Sequence, residues 1–172
     1  KRISVWGIFL LLFAACNKST LTEEQAAKVI REGKGYPRVL ERDVNMVDPV
    51  SARRLLDAGI ENAGMVTIDR TKKLKDIGSP IVHFTEKAKP YLIRIDPKYD
   101  HIQVVKLAES DLAEITGIKL LEDRKTATVE YTVVYKDITP FAKLIDKDMT
   151  KPDTLRAELS LFDTGWKLEK AR

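Results

Sequence analysis

Catalysis or metal binding in this 172-residue chain would have to draw on two histidines, one cysteine and scattered carboxylates. His83 stands in an apolar stretch between Val82 and Phe84. Its imidazole could act as a general base, but no second catalytic group accompanies it in sequence, so it reads as a strand histidine. Asp96-x-x-x-Asp100-His101 sets two carboxylates near an imidazole, donor types that a divalent cation accepts. The spacing matches no metal-binding loop, and Pro97 with Lys98 reads as a turn. Gly33-Lys34-Gly35 lacks the remaining glycines and the Lys-Ser/Thr of a phosphate loop. There is no Gly-x-Ser-x-Gly elbow and no His-Glu-x-x-His pair. The expectation is therefore a non-enzymatic chain with no cofactor and no metal. Two features could bind. Tyr131 and Tyr135 share one face of an alternating stretch and, with Trp166, could line a ligand groove; the competing assignment is core or rim. Arg53, Arg54, Arg70, Lys72, Lys73 and Lys75 could meet an anionic surface or a partner.

Composition narrows the classes. A charged fraction of 33% beside 44% hydrophobic residues excludes a disordered chain and a multi-span membrane protein. One cysteine excludes an intrachain disulfide framework and any zinc site needing two or more thiolates. The net charge of +4 hints at nucleic acid. Lys1 and Arg2 supply two of those charges and belong to the leader described next, so the rest of the chain is nearly neutral.

Residues 1–16 read KRISVWGIFLLLFAAC. A basic start precedes an uncharged run of 13 residues from Ile3 to Ala15. Crossing a ~30 Å hydrocarbon core takes roughly 20 residues, so this run suits the apolar region of a secretory signal. Leu12-Phe13-Ala14-Ala15-Cys16 resembles the lipobox of bacterial lipoproteins, with Phe13 where Leu is usual. The leader is similar to those of Bacteroidota lipoproteins. The resemblance implies removal of residues 1–15 as a signal peptide, acylation of Cys16 (palmitate or a similar chain) and a short tether over 16–20. Each buried CH₂ contributes about 0.8 kcal/mol, so two acyl chains anchor stably where one is marginal. Asn17 in place of Asp, and the lack of acidic residues just after Cys16, imply an outer-membrane, periplasm-facing location.

The elements that would position these groups divide near Asp96-Pro97. Thr20-x-x-Glu23 and Thr22-x-x-Gln25 both fit a capping box opening a helix with Ala26, Val29 and Ile30 inward, which Gly33 would end. Pro37 suits the first turn of a second helix with Val39, Leu40 and Val44 inward. Asp48-Pro49 starts a third, with Ala52, Leu55 and Leu56 buried. Residues 65–68 and 80–84 read as a strand pair, and Thr85-Glu86 as a brief helix interrupted by Pro90. Three helices followed by a hairpin resemble a winged-helix domain over 21–95, in which Arg53, Arg54 and the 70–75 cluster would lie on the third helix and wing. From residue 96 to 172 the chain alternates like strands. Stretches at 101–107, 112–122, 126–136 and 154–162 predict an antiparallel meander, with a bulge at Gly117 and Trp166 on the apolar face.

The fold class expected is thus α+β, a winged-helix-like module at 21–95 followed by a β-meander at 96–172. The function expected is a membrane-anchored envelope lipoprotein that binds an envelope protein or peptide. A winged-helix DNA-binding regulator and an envelope enzyme are the rivals. Nucleic acid is disfavoured because an exported, lipidated chain would not meet the chromosome, and its basic stripe is weak.

Overall fold

The computed structural model describes residues 20–71, 73, 77–123 and 125–169. In chain order the elements are α1 (Glu23–Lys34), β1 (Arg38–Asn45), α2 (Pro49–Asp57), β2 (Val66–Ile68), β3 (Val82–Phe84), a 3₁₀ turn (Glu86–Tyr91), β4 (Leu92–Ile95), β5 (Ile102–Leu120), β6 (Thr126–Lys136), a second 3₁₀ turn (Pro140–Leu144), β7 (Asp153–Phe162) and β8 (Gly165–Leu168).

Local chemistry explains the helices. The Thr22 hydroxyl accepts from the Gln25 backbone N–H at 3.2 Å, and the Gln25 side chain accepts from the Thr22 N–H at 3.1 Å. Of the two possible capping boxes, this one forms. Glu23 and Glu24 open α1 while Arg31 and Lys34 close it, matching its dipole. Ala26 and Ile30 are buried beneath it. The helix does not stop at Gly33 as expected; it ends at Gly35, whose φ of 69° is the left-handed cap. Gly33 has another task. A Cβ there would lie 2.7 Å from Leu168 Cδ2 and 3.0 Å from Leu168 Cβ, so glycine lets α1 press onto β8. In α2, the Asp48 carboxylate accepts from the N–H groups of Val50 and Ser51 at 3.1 and 3.0 Å, and Pro49 fills the first turn.

The expected three-helix winged-helix half is overturned. Residues 38–45 are a strand, not a second helix: β1 pairs antiparallel with β5 from Arg38↔Ser110 to Asn45↔Ile102. Leu40, Arg42 and Val44 turn inward at period two, while Val39 is exposed. A short helix with three apolar residues has little intrinsic stability, whereas the edge of a long strand offers a backbone partner at nearly every residue. Among the described residues the winged-helix order of elements is therefore absent. α2 is followed by the small ribbon β2–β3, in register Val66↔Phe84, Thr67↔His83 and Ile68↔Val82.

The main sheet has six strands in the order β1-β5-β6-β7-β8, with β4 also on β5, and it is curled. With 43% of the described residues in strands, the class is mostly β rather than α+β. Strands expected separately at 101–107 and 112–122 are one 19-residue strand, β5. Its first half lies between β1 and β4; its second half pairs with β6. Register shifts between Leu112 and Ile115, and between Ile115 and Gly117, bend it where the glycine bulge was expected. Two apolar clusters divide along β5, which contributes residues up to Ala108 to one and residues from Leu112 onward to the other. One gathers α2, β2, β3 and the first half of β5 around Leu55, Ile60, Val82, Val105 and Phe141. The other lies between α1 and β5–β8 around Ile30, Leu112, Val129, Tyr131, Leu159 and Trp166. Segments on both sides of Asp96-Pro97 thus share one sheet.

Candidate functional site

A groove runs between α1 and the β7–β8 hairpin. Gln25, Lys28, Val29 and Glu32 form one of its walls. Their spacing of three, four and seven residues places them on one helix face. Leu161, Phe162, Asp163, Thr164, Gly165 and Trp166 form the other wall. The hairpin is held by the pairs Leu161↔Trp166 and Phe162↔Gly165, and Gly165 turns with a φ of 109°. The groove encloses about 470 Å³, within the size range of small-ligand and peptide-anchor pockets. Phe162 is 55% exposed at its mouth, with the Lys167 ammonium 5.6 Å from the ring centroid. Trp166 is only 9% exposed, and its indole N–H has no hydrogen-bond partner among the described residues. Aromatic surface with a cation, two carboxylates and an amide at the margin suits an amphipathic ligand better than a highly charged one.

The expected tyrosine groove is dispersed. Tyr131 is 1% exposed and sits in the α1-side core, its ring edge-on to Tyr36 at 6.5 Å. Burial, reinforced by the Tyr36 hydroxyl, pushes its phenol up to about 12. Tyr135 is half-buried, touches both apolar clusters, and donates its hydroxyl to Asp153. Lys147 pairs with the same carboxylate and stands 4.8 Å above the Tyr135 ring. Burial raises the Tyr135 phenol, and its bond to Asp153 raises it further. The Lys147 and Tyr135 bonds hold the Asp153 carboxyl below its usual range. Burial pulls the Lys147 ammonium down, but its bonds to Asp153 and Tyr135 outweigh this and raise it. A phenol held protonated beside an ionised carboxylate is a poor base and a poor nucleophile, so this trio locks β6 to β7 rather than moving protons. Of the three aromatics, Trp166 alone lines the α1 groove.

The basic residues are also spread out. Arg53 is exposed on α2 and spends its guanidinium on Asp57 at 2.9 Å, one turn along. Arg54 borders a small hollow with Arg42, Asp43 and Leu144. Arg70 pairs with Glu61, whose other oxygen accepts from the Ile68 N–H. Lys73 is exposed. Lys72, Lys75 and Cys16 lie outside the described residues. Among the described residues, no recognition helix and wing present Arg53, Arg54, Arg70 and Lys73 together.

His83 on β3 meets Asp69 at 3.1 Å on the exposed face of the ribbon, and His101 meets Asp100 at 3.3 Å. Asp96 accepts from the N–H groups of Lys98 and Tyr99, which makes its segment a capped turn. Among the described residues no three of His, Cys, Asp and Glu converge on a point that could hold a metal ion. A second recess, of about 530 Å³, lies over β5–β7 around Gly117, Lys119 and Thr128, floored by the Glu130–Arg156 pair. The α1 side of the main groove escaped sequence reasoning, because Gln25, Lys28 and Glu32 look like an ordinary solvated helix face. Only Trp166 carried a signal. Comparison of the chain with protein-family models, with curated proteins and with solved structures finds no match.

Proposed function

We propose that this chain is a lipid-anchored protein of the bacterial cell envelope that binds without catalysis, taking a segment of an envelope protein or a peptide in the groove between α1 and the β7–β8 hairpin. The anchoring half of this reading rests on the lipobox-like leader ending at Cys16. The binding half rests on one observation: the 470 Å³ groove, walled by Trp166 and Phe162 with Lys28, Glu32 and Asp163 at its margin. A side chain such as Leu or Phe would fill the aromatic part, and the marginal charges would orient the flanking backbone. α1 begins at Glu23, seven residues after Cys16. A tether of that length reaches at most about 25 Å, so the groove would work close to the membrane surface.

Two experiments separate the halves. Cys16→Ala should abolish acyl labelling and release the protein from the membrane fraction; unchanged labelling would sink the anchoring half. A photo-crosslinking residue placed at Lys28 or at Phe162 in the membrane-bound full chain should capture the same discrete envelope partner. The same residue at Asp57, on α2, should not capture it. Identical adducts from all three positions, or none from Lys28 and Phe162, would remove the groove as the binding site.

A further inference from the structure

We infer that the second half of β5 is a self-association edge, at which two copies of this chain join their sheets antiparallel about a two-fold axis near Thr116 and Gly117. β1 stops pairing with β5 at Ser110, and β6 covers the other side of β5 as far as Leu120. On the β1 side, residues 113–120 therefore have no strand partner among the described residues. Just past the point where β1 ends, the Arg31 guanidinium of α1 donates to the Leu112 carbonyl and to Asp111. Beyond it Ala113, Glu114, Thr116, Gly117, Lys119 and Leu120 are exposed, as an open edge requires.

The segment reads Ala-Glu-Ile-Thr-Gly-Ile-Lys-Leu from 113 to 120, and it is complementary to itself when reversed. In an antiparallel pair centred between Thr116 and Gly117, Glu114 of each copy faces Lys119 of the other, and Ile115 faces Ile118. Residues directly opposite must point to the same side of the sheet. Ile115 and Ile118 are three apart, which in a regular strand would put them on opposite faces. The register shift between Ile115 and Gly117 corrects this: Ile115 pairs with Tyr131 and Ile118 with Val129, both on the buried face of β6. The bulge thus makes the palindrome workable. Two pairs of opposite charge and two isoleucine contacts would repeat across the axis, as an isologous interface demands. Neither Glu114 nor Lys119 has an ion-pair partner among the described residues.

Sedimentation velocity on the full chain in detergent tests this edge. The wild-type protein should be a dimer. Lys119→Glu and Glu114→Lys each place like charges opposite one another twice and should weaken the dimer about tenfold. Mixing the two single variants should restore a heterodimer. One of its two charge pairs would be the native Glu114–Lys119 contact, and the other would carry the same two charges exchanged between the copies. The double variant Glu114→Lys/Lys119→Glu should restore the homodimer. Far-UV circular dichroism on each variant checks that the fold is retained. A monomeric wild type would overturn the proposal and assign the bulge and charges to protecting the edge. A dimer indifferent to both single changes, or a mixture that fails to re-pair, would overturn it too, placing any interface elsewhere.

Discussion

At the residue scale the informative positions are those where one atom decides a contact. Gly33 is the clearest. Alanine in a helix interior is favoured over glycine by about 1 kcal/mol, but its Cβ would overlap Leu168 at both Cδ2 and Cβ. The Cδ2 end can swing aside; the Cβ cannot without moving β8. Overpacking of this kind costs roughly 1–3 kcal/mol. Gly33→Ala should therefore lower the urea midpoint with an unchanged denaturant slope. A raised midpoint would mean that β8 yields easily. Asp153 supplies a second test. Its folded carboxyl titrates below its unfolded value because Lys147 and Tyr135 bind the ionised form. As pH falls, the unfolded chain takes up the proton first, so stability is present above about pH 4 and drains away as pH drops through the folded value. Asp153→Asn should cost about 1–2 kcal/mol at neutral pH and flatten this acid limb in pH-dependent urea titrations. The sequence announced Trp166 as an aromatic on an apolar face. It could not announce Gly33, because helix-stopping and close-packing glycines look the same until the neighbour across the interface is known.

At the element scale, capping chemistry was legible and partner choice was not. Thr22-x-x-Gln25 and Asp48-Pro49 open helices because their polar atoms satisfy N–H groups two or three residues away. Such signals need no tertiary partner. Thr22→Ala should destabilise the protein by about 1 kcal/mol, seen as a drop in thermal midpoint. Thr20→Ala should have no comparable effect, since the box that forms is the one at Thr22. Residues 38–45 show the opposite case. Val39, Leu40 and Val44 fit a helix face as well as a strand, and Pro37 looks like a helix start. What selects the strand is β5, whose edge at Ile102–Ser110 pairs with it across 57 to 72 residues of chain. The polar run Glu109-Ser110-Asp111 lies between the two strands expected at 101–107 and 112–122, yet β5 runs through it unbroken. It stays extended because β1 and β6 bind it from opposite sides at that point: Ser110 faces Arg38 on one side and Tyr135 on the other.

At the scale of the whole molecule, the sheet ties together segments that look separate in sequence. β1 and β4 come from before Asp96-Pro97, β5 to β8 from after it, and α1 packs against β5 and β8. Expressed apart, residues 21–95 and 96–172 should each fail to show cooperative unfolding by circular dichroism, because each would leave one side of β5 or its partner bare. A cooperative melt from either piece would contradict this. The division of labour between sequence and tertiary structure has a physical basis. By itself the sequence determined whatever depends on neighbours within a few residues: the caps of α1 and α2, the alternation of β6, the turn at Asp96. Only the tertiary structure decided that 38–45 is a strand, that Tyr131 is core, that Gly33 is a contact rather than a stop, and that a groove opens beside Trp166. Those outcomes depend on pairings between residues distant in the chain, whose energies come from a shared backbone edge and a shared buried surface that no local pattern encodes.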